Sequence, residues 1–174
     1  MRAGRSFKRF IGARKGATAV EFVLVALPFF LLPFATIETT TVFFAAQSLE
    51  NATMEAARLV RTGQVQQQGI TQIEFRTRVC DNISFLMTCD SKLQIDVRTF
   101  DSFQNVDFTD VLDGDGNYNG QFVYEPGAPG AVVLVRVFYA WPILTPVVDE
   151  ALTDMAGSSR LLTASAAFRN EPFD

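Results

Sequence analysis

Three sets of residues in this 174-residue chain have types and spacings suited to chemistry. Cys80 and Cys89 are its only cysteines, with eight residues between them. They can close a short covalent loop or sit as two buried thiols; a metal pair is disfavoured without further Cys or any His. The run Asp113-Gly-Asp-Gly-Asn-Tyr-Asn-Gly120 sets Asp113, Asp115, Asn117 and Asn119 at alternate positions, the oxygen pattern a calcium ion wants. Glu21 is the single acid in a long apolar run. Beyond these the chain offers catalysis little. With no His, neither a Ser-His-Asp nor a Cys-His arrangement can be built. No spacing singles out a pair among the 19 acids, and no glycine-rich phosphate loop precedes a helix. Neither an enzyme nor a cofactor site is expected.

The calcium reading weakens on inspection. Asp115, Asn117, Asn119 and Gly120 match the first half of an EF-hand-like loop, but its twelfth position is Pro126, and Glu125 comes one residue early. Gly and Asn are also the usual residues of a hairpin turn. A turn is the favoured reading.

The element that must carry Glu21 is a helix. Residues 17–37 are 21 in number and apolar apart from that acid; at about 1.5 Å per residue they span roughly 31 Å, close to a bilayer's hydrocarbon thickness. Arg2, Arg5, Lys8, Arg9, Arg14 and Lys15 precede the run without any acid, whereas Glu38, Glu50 and Glu55 mix with Arg58 and Arg61 after it. The positive-inside rule places the N-terminus in the cytoplasm and residues 38–174 across the inner membrane. A secretory signal peptide fits less well, because the nearest cleavage candidate, Phe44-Ala45-Ala46, has Phe where a small residue is wanted. A plain anchor leaves Glu21 unexplained, since a charge at mid-bilayer costs about 2.5 to 3.5 kcal/mol and calls for a partner.

The basic leader, Gly16, small Ala17, Glu21 four positions on and then Phe22 resemble the processing site of type IV pilins and pseudopilins. Within that group, Arg14-Lys-Gly-Ala-Thr-Ala-Val-Glu-Phe22 is most similar to TadE-like minor pilins of the tight-adherence (Tad) pilus. Leu49-Glu-Asn-Ala52, Ala56-Ala-Arg-Leu-Val-Arg-Thr-Gly63, Val135-Arg-Val-Phe-Tyr-Ala-Trp-Pro142 and Phe168-Arg-Asn-Glu-Pro-Phe173 extend the likeness along the chain. The resemblance implies cleavage after Gly16 by a prepilin peptidase at the cytoplasmic face. It implies that Glu21 and Phe22 recognise neighbouring subunits. It names as partners other minor pilins, the major pilin, an inner-membrane assembly platform and membrane lipid, in a pilus serving adhesion and biofilm formation. In physical terms, cleavage would free an α-amine on Ala17 one helical turn from Glu21, and that amine, or a neighbouring subunit's, could neutralise the carboxylate. The rival reading is an uncleaved single-pass envelope protein whose head binds a ligand or scaffolds a complex.

Charge and the cysteines follow from this topology. Loss of residues 1–16 removes six of the 15 basic residues, leaving nine against 19 acids and a net charge of −10. Without a basic stripe, nucleic-acid binding is not expected. Across the membrane an oxidising compartment favours a Cys80–Cys89 disulfide.

The expected fold class is α+β and pilin-like: a leader over 1–16, a transmembrane and stem helix over 17–62, and a head with a small antiparallel sheet over 63–174. Pro28 and Pro33 are expected to kink or loosen the helix. Leu49, Ala52, Ala56, Leu59 and Val60 recur at helical spacing, and Gly63 is a natural stop. The small face of Ala45, Ala46, Ala52, Ala56 and Ala57 allows close approach of the head. Thr71 and Glu74 form a capping box for a helix to about Ile83. Leu93, Ile95 and Val97 alternate with Gln94, Asp96 and Arg98 as a half-buried strand. Residues 131–139 read as a central strand and 161–169 as a further one, with residues 106–112 and 121–124 as short edge strands. Trp141, Pro142 and Pro146 suggest a packed or subunit-facing loop, and residues 169–173 a contact tail or a latch on the head.

Overall fold

The computed structural model describes residues 14–83, 85–145 and 151–173. The basic leader up to residue 13 and Pro146 lie outside the described residues.

Helix α1, Arg14–Arg61, is 48 residues long and runs unbroken through Pro28 and Pro33, so neither proline ends it. Where its apolar run gives way to threonines, the hydroxyls of Thr36, Thr39, Thr40 and Thr41 each donate to the carbonyl four residues back, at 2.7 to 2.9 Å. That consumes their polarity inside the helix. The helix stops at Gly63, whose φ of +77° is the left-handed conformation that costs Gly least. A one-turn helix α2, Gln64–Gln67, and helix α3, Gln72–Ile83, follow. The capping box opens α3: Thr71 donates its amide and hydroxyl to Glu74 at 2.8 and 2.9 Å, and the Glu74 amide donates back to the Thr71 hydroxyl at 3.3 Å.

Strands β1 (Leu93–Phe100), β2 (Val132–Pro142) and β3 (Ser159–Arg169) make an antiparallel sheet in that spatial order, with β2 central. The register pairs Ile95 with Val137 and Val137 with Ala164, which puts Leu93, Ile95, Val97, Val133, Val135, Val137, Tyr139, Leu162 and Ala164 on one face. Against that face lies the upper half of α1 through Val42, Ala45, Leu49, Ala52, Ala56 and Val60, with Phe75, Val79 and Ile83 of α3 completing the core. The alanines allow a close approach of helix to sheet, so the small-residue face serves the head. The second half of α1 is thus integral to the head's core.

Residues 106–112 and 121–124 do not form the edge strands expected of them. They contribute only isolated bridges, Leu112 with Tyr118 and Tyr124 with Val97, because this segment folds as an irregular cover over the sheet's outer face. The chain end is a latch: the Glu171 amide donates to the Arg61 carbonyl at 2.9 Å, and Glu171 pairs with Arg61 at 3.2 Å.

Candidate functional site

The candidate site is the exposed lower half of α1 and its junction with the head. Val20, Phe22, Leu24, Leu27, Phe29, Phe30, Leu32, Phe34 and Ile37 are all more than half exposed, around the whole circumference of the helix. Among the described residues one helix, from Thr18 to Arg61, is long and apolar enough to cross a membrane, and its most apolar stretch has no residue buried by the fold. An apolar helix exposed on every side requires lipid or other helices around it. Gly16 and Glu21 both lie on its exposed surface, one helical turn and a residue apart, with Phe22 next to the acid.

Glu38 marks where the exposed apolar part of α1 ends and the head begins. Its carboxylate accepts the backbone amides of Leu144 and Thr145, the latter at 2.8 Å, and the Thr145 hydroxyl as well. Burial by itself would raise the Glu38 pKa, but those hydrogen bonds outweigh it and hold the group below its ordinary value. Pattern reasoning missed this tether, because its partners are 106 and 107 residues away.

The second missed constellation is a buried ion cluster on the sheet's outer face. Asp96 is wholly buried and takes Arg136 at 2.6 and 3.1 Å, Arg98 at 2.9 Å and the Val123 amide at 2.9 Å. Arg136 donates onward to the Thr109 carbonyl and Arg98 to the Gln121 carbonyl, at 2.8 and 2.6 Å. The Arg136 guanidinium also lies over the Phe138 ring at 5.3 Å. These bonds pin the irregular 106–125 segment to the sheet. The signal was present: an Arg alone in the apolar run of β2 needs a counter-ion, and Asp96 was the acid in the neighbouring strand. The half-buried reading of β1 is therefore corrected, since its Asp96 side is covered too.

Cys80 and Cys89 form a disulfide, with Cα atoms 5.8 Å apart, joining the end of α3 to the approach to β1. In the Asp/Asn loop the Asp113 carboxylate accepts the amides of Asp115 and Asn117 at 3.0 and 2.8 Å. Asn119 donates its carboxamide to the Asp110 carbonyl and accepts the Gln121 amide. Those oxygens shape the turn, and no group of three or more acids, Cys or His among the described residues is placed to hold a metal. The half-buried Tyr124 phenol, its pKa pushed up to about 12 by burial, donates to the Ile70 carbonyl at 3.1 Å.

The class defined by these features is an α+β protein with a helical stem and a three-stranded sheet head. Residues 16–58 match the family model described as TadE-like protein, which spans the apolar helix and most of the stem and stops before the sheet. The likeness is of that segment, 43 of the 174 residues. Neither the comparison with curated proteins nor that with solved structures gives a match.

Proposed function

We propose that this chain is a minor pilin (pseudopilin) that acts in priming, assembly or tipping of a tight-adherence pilus, in support of adhesion and biofilm formation, and carries no chemistry of its own. The observation that carries the reading is the exposed apolar helix, with Glu21 one turn beyond the Gly16–Ala17 junction, fused to a folded head. A prepilin peptidase cuts after Gly16. The freed amine of Ala17, or that of an adjacent subunit, compensates the Glu21 carboxylate in low dielectric, and Phe22 packs beside it in the neighbouring helix. Its partners are the peptidase, the major and other minor pilins and the inner-membrane platform, with the N-terminus cytoplasmic and the head periplasmic.

The test is the N-terminal sequence of the protein isolated from membranes. A mature chain beginning at Ala17 supports the reading, and one beginning at Met1 supports a permanently anchored envelope protein. Glu21→Ala is expected to be processed normally and to lose pilus assembly; normal assembly would remove the pairing role.

A further inference from the structure

The end of the head beside α1 presents exposed apolar side chains. Leu144 is 83% exposed, and it follows β2 directly. Phe85, 92% exposed, lies three residues before Thr88, whose amide donates to the Tyr139 hydroxyl at 3.2 Å near the same end of β2. Trp141, at the same end of β2, is partly buried and 6.2 Å from the Tyr139 ring. A cavity of about 290 Å³ opens beside it, lined by Trp141, Pro142 and Leu144 from the head and Phe34, Ile37 and Thr41 from α1.

The depth of this surface is fixed by a covalent ruler. Residues 17–37 take up the hydrocarbon thickness, so Glu38 stands at its boundary. The hydrogen bonds from Leu144 and Thr145 to Glu38 bring the head's lower loop to that same level. Leu144 thus projects next to Ile37 and Phe34, both exposed on the span itself. Apolar residues scattered singly over the head, such as Ile73 and Phe108, need no such account.

We infer that Phe85, Trp141 and Leu144 form a second membrane contact, which seats the head on the bilayer's interfacial region and lets an acyl chain enter the cavity between Trp141 and Phe34. Trp and exposed Leu or Phe at headgroup depth are the side chains that partition into this zone. The occupant is lipid, because the surface is continuous with the lipid-facing helix and meets it at the hydrocarbon boundary. The consequence is a head whose tilt against the bilayer is fixed by two contacts instead of by the span alone. The inference rests on the membrane-spanning reading of residues 17–37.

Trp141 is the only tryptophan of the chain, so its fluorescence reports on this surface alone. The full chain is reconstituted in vesicles of phosphatidylcholine carrying bromine at shallow or deep acyl positions. Resistance to alkaline carbonate extraction is checked on the same sample. The expected result is a carbonate-resistant protein whose Trp141 emission is largely quenched, more by shallow than by deep bromines, with much of it recovered in Phe85→Glu/Leu144→Glu while insertion persists. Emission unaffected by bromolipid and quenched by aqueous iodide, in a carbonate-resistant protein, would overturn the contact and leave the span intact. Extraction by carbonate would overturn the span and the contact with it.

Discussion

The carboxylate of Asp96 and the guanidinium of Arg136 face one another across β1 and β2 at 2.6 Å, their side chains 0% and 4% exposed. Removing Asp96 strands Arg136 in a dry site, whereas removing Arg136 leaves Asp96 paired with Arg98. Asp96→Asn is expected to destabilise the protein by about 3 to 5 kcal/mol, read as a fall in the thermal unfolding midpoint of the full chain in detergent. Asp96→Leu combined with Arg136→Met is expected to recover most of that loss, and Arg98→Met, at the more exposed partner, to cost less than Asp96→Asn. An additive double variant would show that the cluster is not coupled.

The Cys80–Cys89 bridge closes a short loop between α3 and β1. Its reduction, or Cys80→Ser with Cys89→Ser, is expected to cost about 2.5 to 3 kcal/mol on the chain-entropy account. Intact mass after alkylation without reductant should show no added tags; two tags would refute the bridge.

Gly63 does two jobs at the end of α1. It adopts φ +77°, and a Cβ added there would meet the Phe173 ring at 2.3 Å. Gly63→Ala therefore combines left-handed backbone strain of roughly 1 to 2 kcal/mol with a clash against the C-terminal latch. Thermal unfolding should show Gly63→Ala/Phe173→Ala to be less destabilised than the sum of its single variants, because the second change removes the ring and leaves only the Cβ of residue 173 near the new methyl.

The capping box gives a pH dependence with a definite sign. The Thr71 amide, and then its hydroxyl, hold the Glu74 pKa below its usual 4.5. Because the folded value is the lower one, this contribution is present above pH 4.5 and lost as pH falls through the folded value. The stability difference between wild type and Glu74→Ala should be constant near neutrality and shrink as pH drops below 4.5, as followed by circular dichroism. Thr71→Ala should cost about 1 kcal/mol at neutral pH.

Titration calorimetry is expected to detect no calcium binding at Asp113, Asp115, Asn117 and Asn119. The Asp113 and Asn119 oxygens are already hydrogen-bonded within the turn. A measurable binding heat abolished by Asp113→Ala would reverse this.

Local patterns determined much by themselves. The length and apolarity of residues 17–37, the stop at Gly63, the Thr71–Glu74 cap and the three strands are legible because each depends on residues within a few positions of one another or on a regular period. Glu21 was marked out by being the one acid in an apolar run, which needs no fold to see. Only tertiary structure could place the rest. The alternation of β1 puts Asp96 on the strand's polar side, and nothing in that period says that residues 106–125 fold back over it. That segment lacks a period because most of its anchoring bonds go to the side chains of Arg98, Arg136 and Asp96, and it meets the backbone of β1 only at Val97. Glu38 likewise looked like an ordinary charge beyond a membrane span. Its role depends on β2 ending beside α1, which follows from packing the alanine face of the helix on the sheet, and spacing along the chain cannot encode a contact made over 106 residues.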